Sequence, residues 1–340
     1  MPNMPLLNWI LRPHMGWLVL VVLMGGCHSP RSIQFGFYAV PEADLPAVGR
    51  LGVDFVVGTK SKSYLDAAKQ ANLQVIGTGS KFLNHSSLLG NYLSDEPDLN
   101  GLSPGQIRIQ YQNAKRRSAK PVFLNLSSGY SIESYSPYCD VVMFDWYPIG
   151  WQPIETFHSH LRAARVAAGK KPFYAIIQAF DWSHYPSLVP PSKLYRKPTP
   201  LEVKAMTVWA AMSGATGVMY YPYHDSKTEI IHTPELIDAI QESIEFVRMN
   251  NEYFGPARIW NPYPFSFENL TDRYNEISES SIAIKYSKTP ADAGFYRLIA
   301  ANTTSREIVV TPAPNIEIES SQPRIVFGPL EFKLLKVRVR

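Results

Sequence analysis

The chain has 340 residues, of which 45% are hydrophobic and 18% charged, so it can bury a large core and is too apolar for a disordered protein. Its formal net charge is only +4 and its longest basic run is Lys115–Arg117, which excludes the broad positive surface of a nucleic-acid-binding protein. With only two cysteines, the chain cannot form a disulfide scaffold or a four-cysteine zinc site. Its aromatic content of 12% is typical of a protein whose aromatic rings stack on flat ligands or on the faces of sugars.

The first segment in chain order has the layout of a processing signal. Arg12 precedes the apolar run Gly16–Gly26, and Cys27 follows that run directly. One positive charge, an apolar run and small residues before a break are typical of a signal peptide. The run is shorter than the roughly 20 apolar residues that cross a bilayer. We therefore predict that residues 1–26 are a signal peptide.

The end of this segment, Leu23-Met24-Gly25-Gly26-Cys27, resembles the lipobox of bacterial lipoproteins. The resemblance implies that Cys27 is lipidated and becomes the new N-terminus, with residues 27–32 as a lipidated tether. It also implies a protein attached to a membrane of the bacterial cell envelope, outside the cytoplasm. The alternative is an ordinary secretory signal with an incidental cysteine.

Residues 33–254 alternate between short apolar runs and helical patterns. The predicted strands are Ile33–Ala39, Asp54–Val57, Gln74–Gly77, Asn91–Ser94, Pro121–Leu126, Val141–Phe144, Pro172–Gln178 and Gly217–Tyr221. The clearest helical patterns are Ser63–Ala71, Ser103–Ser118, Ile154–Ala168, Pro200–Ser213 and Pro234–Phe254. Ser103 and Thr199, each followed by proline, are predicted N-caps.

Eight strands, most of them followed by a helix, predict an α/β fold with a (β/α)8 TIM barrel over residues 33–254. The continuous apolar runs are typical of parallel strands that are buried on both faces. A doubly wound sheet is the alternative, but the first strand leads into Pro41 and not into a glycine-rich phosphate loop.

The pattern changes in residues 255–340. Strand-length segments there are separated by Asn, Pro, Gly and Ser clusters, which predicts a small antiparallel β-sandwich domain. The predicted strands are Ser281–Tyr286, Gly294–Ala301, Glu307–Thr311, Ile316–Glu319 and Glu331–Val339.

Polar and aromatic residues recur directly after the barrel strands. They are Asp95, Glu96, Asn125, Asp145, Trp146, Tyr147, Gln178, Asp181, Trp182, Tyr221, Tyr223 and Asp225. Because a barrel carries its active site at the C-terminal ends of its strands, we predict that these residues meet at one mouth. Two carboxyl groups and aromatic rings beside them are the components that glycoside hydrolysis needs.

Asp95-Glu96-Pro97, after the fourth strand, is similar to the Asn/Asp-Glu-Pro motif of the large clan of (β/α)8 glycoside hydrolases with a glutamate acid/base at that position. The resemblance covers the barrel, and it implies that Glu96 is the acid/base. The clan has its nucleophilic glutamate at the end of strand seven, where this sequence has Gln178, whose amide cannot be a nucleophile.

Asp145 is therefore our candidate for the second catalytic carboxylate, ahead of Asp181 and Asp225, because strands four and six lie only two positions apart in the ring. We expect Glu96 to be a general acid with a raised pKa and Asp145 to be the base or nucleophile. Since Gln178 removes the usual retaining partner, we expect the wider spacing of an inverting pair, with water between the two carboxyl groups.

The other strand-end residues are predicted to bind the substrate. The polar ones would bond sugar hydroxyls, and the aromatic ones would form stacking walls. This substrate-binding set comprises Asp95, Asn125, Trp146, Tyr147, Gln178, Asp181, Trp182, Tyr221, Tyr223 and Asp225.

The sequence thus predicts a glycosidase-like lipoprotein that cleaves O-glycosidic bonds of an oligo- or polysaccharide. Its expected partners are a carbohydrate and, through the anchor, a membrane, but no nucleic acid. No cofactor and no metal are expected, because acid–base hydrolysis by carboxylates requires neither. The alternative is a non-catalytic glycan-binding or envelope-assembly lipoprotein with a degenerate hydrolase barrel. A metal-dependent hydrolase ranks third, because no strand end supplies a His-x-His pair.

Overall fold

A closed barrel of eight parallel strands forms the larger part of the described chain, as predicted. The computed structural model describes residues 32–79, 81, 84–188, 192–254, 263–267, 281–291, 294–319 and 323–340. The barrel strands are β1 (Gln34–Tyr38), β2 (Phe55–Thr59), β3 (Gln74–Thr78), β4 (Leu88–Tyr92), β5 (Val122–Leu126), β6 (Val141–Asp145), β7 (Phe173–Gln178) and β8 (Gly217–Tyr221). They pair in sequence order, and β8 closes the ring against β1.

Helices connect the strands on the outside of the barrel. They are α1 (Leu45–Gly49), α2 (Lys62–Gln70), α3 (Pro104–Arg117), α4 (Ile132–Tyr135), α5 (Glu155–Ala167), α6 (Pro200–Met212), α7 (Pro234–Met249) and α8 (Asn251–Phe254). The predicted N-caps are present, because the side chains of Ser103 and Thr199 accept hydrogen bonds from the backbone of Gln106 and Glu202. Both helices therefore begin with a capping box that satisfies their free N–H groups.

The barrel strands contribute to two cores. Side chains such as Phe55, Ile176 and Met219 fill the barrel interior. Side chains on the opposite faces, such as Phe144 and Ile177, pack between the strands and the helices. Because both faces are buried, the strands need continuous apolar runs, which is the pattern that the sequence displays.

The C-terminal part forms two antiparallel sheets that share one core. Its strands are β9 (Phe265–Phe267), β10 (Ile282–Pro290), β11 (Tyr296–Asn302), β12 (Ile308–Pro312), β13 (Ile316–Ile318), β14 (Ile325–Phe327) and β15 (Phe332–Val339). One sheet has the order β10-β11-β15-β13 and the other β14-β12-β9. Leu298 and Val337 of the first sheet and Val310 and Phe327 of the second belong to the same buried cluster. The predicted β-sandwich is thus present, with β9 and β14 as strands that the sequence pattern did not indicate.

The larger sheet also packs on the barrel. Ile299 and Ala301 of β11 belong to the barrel's outer core. The buried Nζ of Lys285 donates to the carbonyl of Phe254 at 3.0 Å, at the end of the last barrel helix. These contacts join the two parts of the chain.

The fourth strand differs from its prediction. It spans Leu88–Tyr92, so it begins three residues earlier than the expected Asn91–Ser94 and ends two residues earlier. Asn91 is the fourth of its five residues and accepts a hydrogen bond from the buried Lys60 at 3.2 Å. Gly90 and Asn91 interrupt the apolar run that begins at Leu88, so the sequence pattern placed the start of the strand too late.

The predicted signal peptide and Cys27 lie outside the described residues. Within the ranges that the structure describes, no helix is both long enough and apolar enough to span a membrane.

Candidate active site

A cavity of about 440 Å³ opens at the C-terminal ends of the barrel strands. Its lining residues are Tyr38, Asp95, Glu96, Leu99, Asn100, Asn125, Asp145, Tyr147, Ile176, Phe180, Trp182, Tyr185, Leu188 and Tyr221. The carboxyl groups come from the segments after β4 and at the end of β6, and the facing wall is largely aromatic. The structure thus brings Asp95, Glu96, Asn125, Asp145, Tyr147, Trp182 and Tyr221 together, as the strand-end pattern predicted.

Asn125 links two of these carboxylates. Its Nδ2 donates to Asp95 Oδ1 and to Asp145 Oδ2, both at 3.0 Å. Asp95 Oδ1 also accepts a hydrogen bond of 2.6 Å from the Tyr92 hydroxyl. Because Asn125 and Asp145 are almost fully buried, this network fixes the polar wall of the cavity.

Glu96 lies beside Asp145, and a side-chain hydrogen bond joins the two carboxyl groups. The Tyr147 hydroxyl also approaches the Asp145 carboxyl group, and this contact lowers the pKa of Asp145 by less than burial raises it. The two carboxyl groups lie within hydrogen-bonding reach of each other, which is closer than the expected wide, water-filled spacing.

This arrangement raises the pKa of both acids. Burial, and then the charge of Asp95, raises the pKa of Glu96 to about 7. Burial, and then the charge of Glu96, raises the pKa of Asp145 well above its ordinary value. Two carboxylates in contact cannot both ionise easily, so the pair keeps one proton near neutral pH. Both acids line the cavity, and Glu96 is the more exposed of the two.

The backbone of Glu96 is in the left-handed region, with φ 40°, which is uncommon for a residue other than glycine. Its N–H donates to the carbonyl of Asn125 at 3.1 Å, and its own carbonyl accepts from Leu99 and Asn100. Such a conformation costs of order 1–3 kcal/mol and persists only where surrounding contacts enforce it. The fold thus holds Glu96 at the mouth against a local conformational preference, as is common in active sites.

The facing wall is built from packed aromatic rings. Tyr147 stacks on Tyr221 with centroids 5.7 Å apart, and Phe180 contacts both rings edge-on. The Trp182 indole N–H donates to the carbonyl of Tyr147 at 3.0 Å, so this ring is fixed through its polar edge. A rigid aromatic wall opposite polar groups is suited to a ligand with an apolar and a polar side, such as a sugar ring.

Two of the lining tyrosines were missed by the sequence analysis. Tyr38 is the last residue of β1, so the strand-end rule applied to the first strand would have found it. Tyr185 lies in the loop after β7, where no periodic pattern marks it. Its hydroxyl donates to Asp225 at 2.6 Å.

Trp146 and Tyr223 do not line this cavity, which corrects their predicted place in its stacking walls. Trp146 follows Asp145, and it stacks on His160 of α5 with centroids 3.9 Å apart, outside the mouth. Tyr223 is only 1% exposed, and it packs edge-on against Phe37 in the outer core. Side chains beyond the last regular strand residue no longer follow the inward pattern of the strand.

Asp181 and Asp225 are also absent from the cavity lining. The carboxylate of each accepts hydrogen bonds from backbone N–H groups of its own turn. Asp181 Oδ1 accepts from the backbone of Ser183 at 2.7 Å. Asp225 Oδ1 accepts from the backbone of Lys227 and Thr228, each at 2.7 Å. Local backbone bonds of this kind are a common use of aspartate in loops.

Gln178 is fully buried, and its predicted substrate contact is wrong. Its Oε1 accepts from Ile149 N at 2.8 Å, and its Nε2 donates to the carbonyls of Ile149 and Phe180 at 3.0 and 3.1 Å. The amide therefore binds the loop after β6 to the loop after β7. A glutamate here could not donate to those carbonyls, so the departure from the clan's pattern has a structural explanation in this chain.

We expect Gln178→Ala to lower the free energy of unfolding by roughly 3 kcal/mol, because it leaves the buried N–H and carbonyl of Ile149 without partners. Urea unfolding measures the change, and Gln112→Ala on the exposed face of α3 is the matched control, expected within about 0.5 kcal/mol of the wild type. Equal stability of both variants would contradict a structural role for Gln178.

No group of three or more His, Cys, Asp or Glu side chains in the described parts of the chain is placed to hold a metal ion. The cavity itself provides the carboxyl groups of Glu96 and Asp145 beside Asp95, which is hydrogen-bonded to Asn125.

Comparison with solved structures finds the same fold in glycoside hydrolases. Amy13B of Eubacterium rectale aligns with a TM-score of 0.53 at 8% identity, over 91% of this chain and 97% of its own. A β-galactosidase of Halorubrum lacusprofundi aligns with a TM-score of 0.53 at 10% identity, over 66% and 60%. A β-galactosidase of Bacillus circulans aligns at 0.50 and 12% identity, over 67% and 57%. At these identities the likeness concerns the fold alone.

The sequence matches no protein-family model and no curated protein.

Proposed function

We propose that this protein is a glycoside hydrolase whose general acid is Glu96. The observation that carries the proposal is the contact between Glu96 and Asp145 in a barrel mouth faced by aromatic rings. Burial and the charge of Asp95 raise the pKa of Glu96 to about 7, so this carboxyl group still holds a proton near neutral pH. Protonation of a glycosidic oxygen requires such an acid, and the aromatic wall provides a surface for the sugar.

The reaction follows from this arrangement. Glu96 donates its proton to the glycosidic oxygen while the bond from that oxygen to the anomeric carbon breaks. The Glu96 carboxylate that remains carries a negative charge, which stabilises the oxocarbenium-like centre that develops on the sugar. Water adds to the anomeric carbon and returns a proton to Glu96, so one bond is cleaved and one water is consumed.

Asp145 is proposed to act mainly through Glu96. It is only 5% exposed and is held by Asn125, so it is poorly placed to attack a sugar carbon. Its carboxyl group orients Glu96 and shares its proton. Asp95, which also lines the cavity, is proposed to bind a sugar hydroxyl or the attacking water with its remaining acceptor capacity.

A glycan-binding protein without catalysis is the second candidate, and one observation favours it. Among the residues described here as lining the cavity, all three carboxylates lie on one wall, so none faces Glu96 from the aromatic side. A retaining or inverting pair places its two carboxyl groups on opposite sides of the bond that is cleaved. Under this candidate the cavity binds sugar, and Glu96 contributes hydrogen bonds alone.

Reducing-end release over a panel of glycans, combined with calorimetric binding to the same panel, separates the two functions. The hydrolase predicts at least one glycan that both binds and is cleaved by the wild type. Binding without cleavage of any glycan supports the glycan-binding protein, and neither binding nor cleavage contradicts both.

We further propose that Cys27 carries a lipid anchor, on the basis of the apolar run that ends at this residue. Stable attachment to a membrane needs two acyl chains or an equivalent second signal, and a lipidated N-terminal cysteine provides them. We expect Cys27→Ala to move the protein from the membrane fraction to the soluble fraction. Cell fractionation with an immunoblot measures this, and unchanged membrane attachment would exclude the anchor.

A further inference from the structure

A second and larger concavity lies next to the mouth on the outer side of β6. It has a volume of about 880 Å³ and is bordered by the loop after β5 and by α4 and α5. We call it the groove, and define it by Tyr130, Glu133, Trp146, Ser159, His160 and Arg162. Asp145 lines the mouth while the next residue, Trp146, lines the groove, so the end of β6 separates the two.

A row of three tryptophans leads from the mouth to the groove. Trp182 lines the mouth, Trp146 lines the groove, and the ring of Trp151 contacts both of these rings. The ring centroids of Trp182 and Trp151 are 6.3 Å apart, and those of Trp151 and Trp146 are 5.9 Å apart. Each ring therefore contacts the next, and Trp151 is 45% exposed although it is a large apolar residue.

The polar edges of the three indoles are already bound within the protein. The N–H groups of Trp151 and Trp182 both donate to the carbonyl of Tyr147. The N–H of Trp146 donates to Thr156 Oγ1 at 3.2 Å. The rings are thus fixed in place. Trp151 offers exposed apolar surface to a ligand, whereas one face of Trp146 is covered by His160.

The groove wall is anchored to the loop that carries Glu96. Asp98, two residues after Glu96, accepts hydrogen bonds from the backbone of Ser127 and Ser128 and from the Ser131 hydroxyl. These bonds fix the loop on which Tyr130 stands, with its side chain 96% exposed. Glu133 and Arg162 add an acceptor and a planar donor group to the same groove, so it presents both apolar and hydroxyl-binding surface.

From these observations we infer that the protein acts on a polysaccharide chain that extends from the mouth across Trp151 into the groove. The inference rests on the proposed function, and it names the substrate as a polymer, cleaved within the chain. A mouth-sized ligand alone would leave the tryptophan row and the groove unused. A row of fixed aromatic faces flanked by hydroxyl-binding groups matches successive sugar units.

The test compares Trp151→Ala with the wild type on polymers and on aryl glycosides of the same sugars. Soluble α-1,4-glucan, β-1,4-glucan, β-1,4-mannan and β-1,3-glucan are the probes. We expect Trp151→Ala to raise KM for the cleaved polymer about fivefold to tenfold, as loss of one aromatic contact does, and to change kcat/KM on the aryl glycoside less than about twofold. Trp151→Phe, which keeps a ring, should restore most of the affinity for the polymer.

Tyr130→Ala is the second variant, because its exposed side chain can be removed without loss of core packing. Ile109→Ala on α3, which is 54% exposed and remote from the groove, is the control for loss of an exposed apolar side chain. Affinity electrophoresis in gels that contain each polymer measures binding without catalysis. If the wild type cleaves none of the probes but is retarded by a polymer more than Trp151→Ala is, the proposed hydrolysis fails together with cleavage within the chain, while binding of a polymer across Trp151 into the groove stands.

Three results would overturn the inference. The first is an equal KM of the wild type, Trp151→Ala and Tyr130→Ala for a polymer that is cleaved. The second is a wild type that neither cleaves nor binds any polymer of the panel. The third is a change from dimer to monomer in Trp151→Ala by light scattering, which would assign the tryptophan row to contact with a second copy of the chain.

Discussion

Glu96→Gln is expected to lower turnover of a cleaved glycan by at least about 100-fold, since general acid catalysis contributes typically 10²–10⁴-fold. The substitution removes the proton donor and leaves the shape of the side chain almost unchanged. Binding of the glycan should therefore remain within a few-fold of the wild type. Initial rates of reducing-end release and calorimetric binding measure the two quantities separately.

Glu245→Gln on α7 is the matched control for this substitution, because it makes the same chemical change at an exposed helical position. It should retain the full rate. A Glu96→Gln variant that turns over at more than about a tenth of the wild-type rate would remove Glu96 from the role of general acid.

At alkaline pH, the dependence of kcat/KM on pH is expected to follow loss of the proton from Glu96. Only the protonated form of Glu96 can act as the acid, and burial raises its pKa to about 7. The value of kcat/KM should therefore be retained below this pH and should fall about tenfold for each unit above it. Rates measured between pH 5 and pH 9, with near-UV circular dichroism to confirm that the protein stays folded, test the expectation.

The pH dependence of kcat/KM in Asp95→Asn tests whether the charge of Asp95 contributes to the raised pKa of Glu96. The negative charge of Asp95 is the second cause of the raised pKa of Glu96, after burial. Its removal favours the ionised form of Glu96, so the alkaline limb should move to lower pH. A limb that does not move, or that moves to higher pH, would contradict the electrostatic link between the two residues.

The barrel was predictable from the sequence because its strands are buried on both faces. Continuous apolar runs such as Val141–Phe144 identify such strands without any partner being known. The prediction was least accurate at β4, where it missed Leu88, Leu89 and Gly90 at the start of the strand. Two apolar residues followed by glycine and asparagine do not form a continuous apolar run, so apolar patterning places the start of this strand too late.

The site was predictable in position but only partly in detail. Their positions directly after barrel strands predicted that Asp95, Glu96, Asn125 and Asp145 meet at one mouth, and all four line the same cavity. The sequence could not predict that Gln178 turns its amide to the backbone of a neighbouring loop, because that bond depends on the path of a segment without regular structure. The sequence likewise could not predict that Glu96 and Asp145 lie side by side, because the position of Glu96 depends on its left-handed backbone.

Hydrolysis in water enriched in ¹⁸O tests the central claim most directly. If Glu96 protonates the glycosidic oxygen and water attacks the anomeric carbon, mass spectrometry of the wild-type products will find one ¹⁸O at the new reducing end. Glu96→Gln will yield almost no labelled product in the same time. A wild type that binds glycans and produces no labelled fragment from any of them would contradict the account and leave a glycan-binding protein.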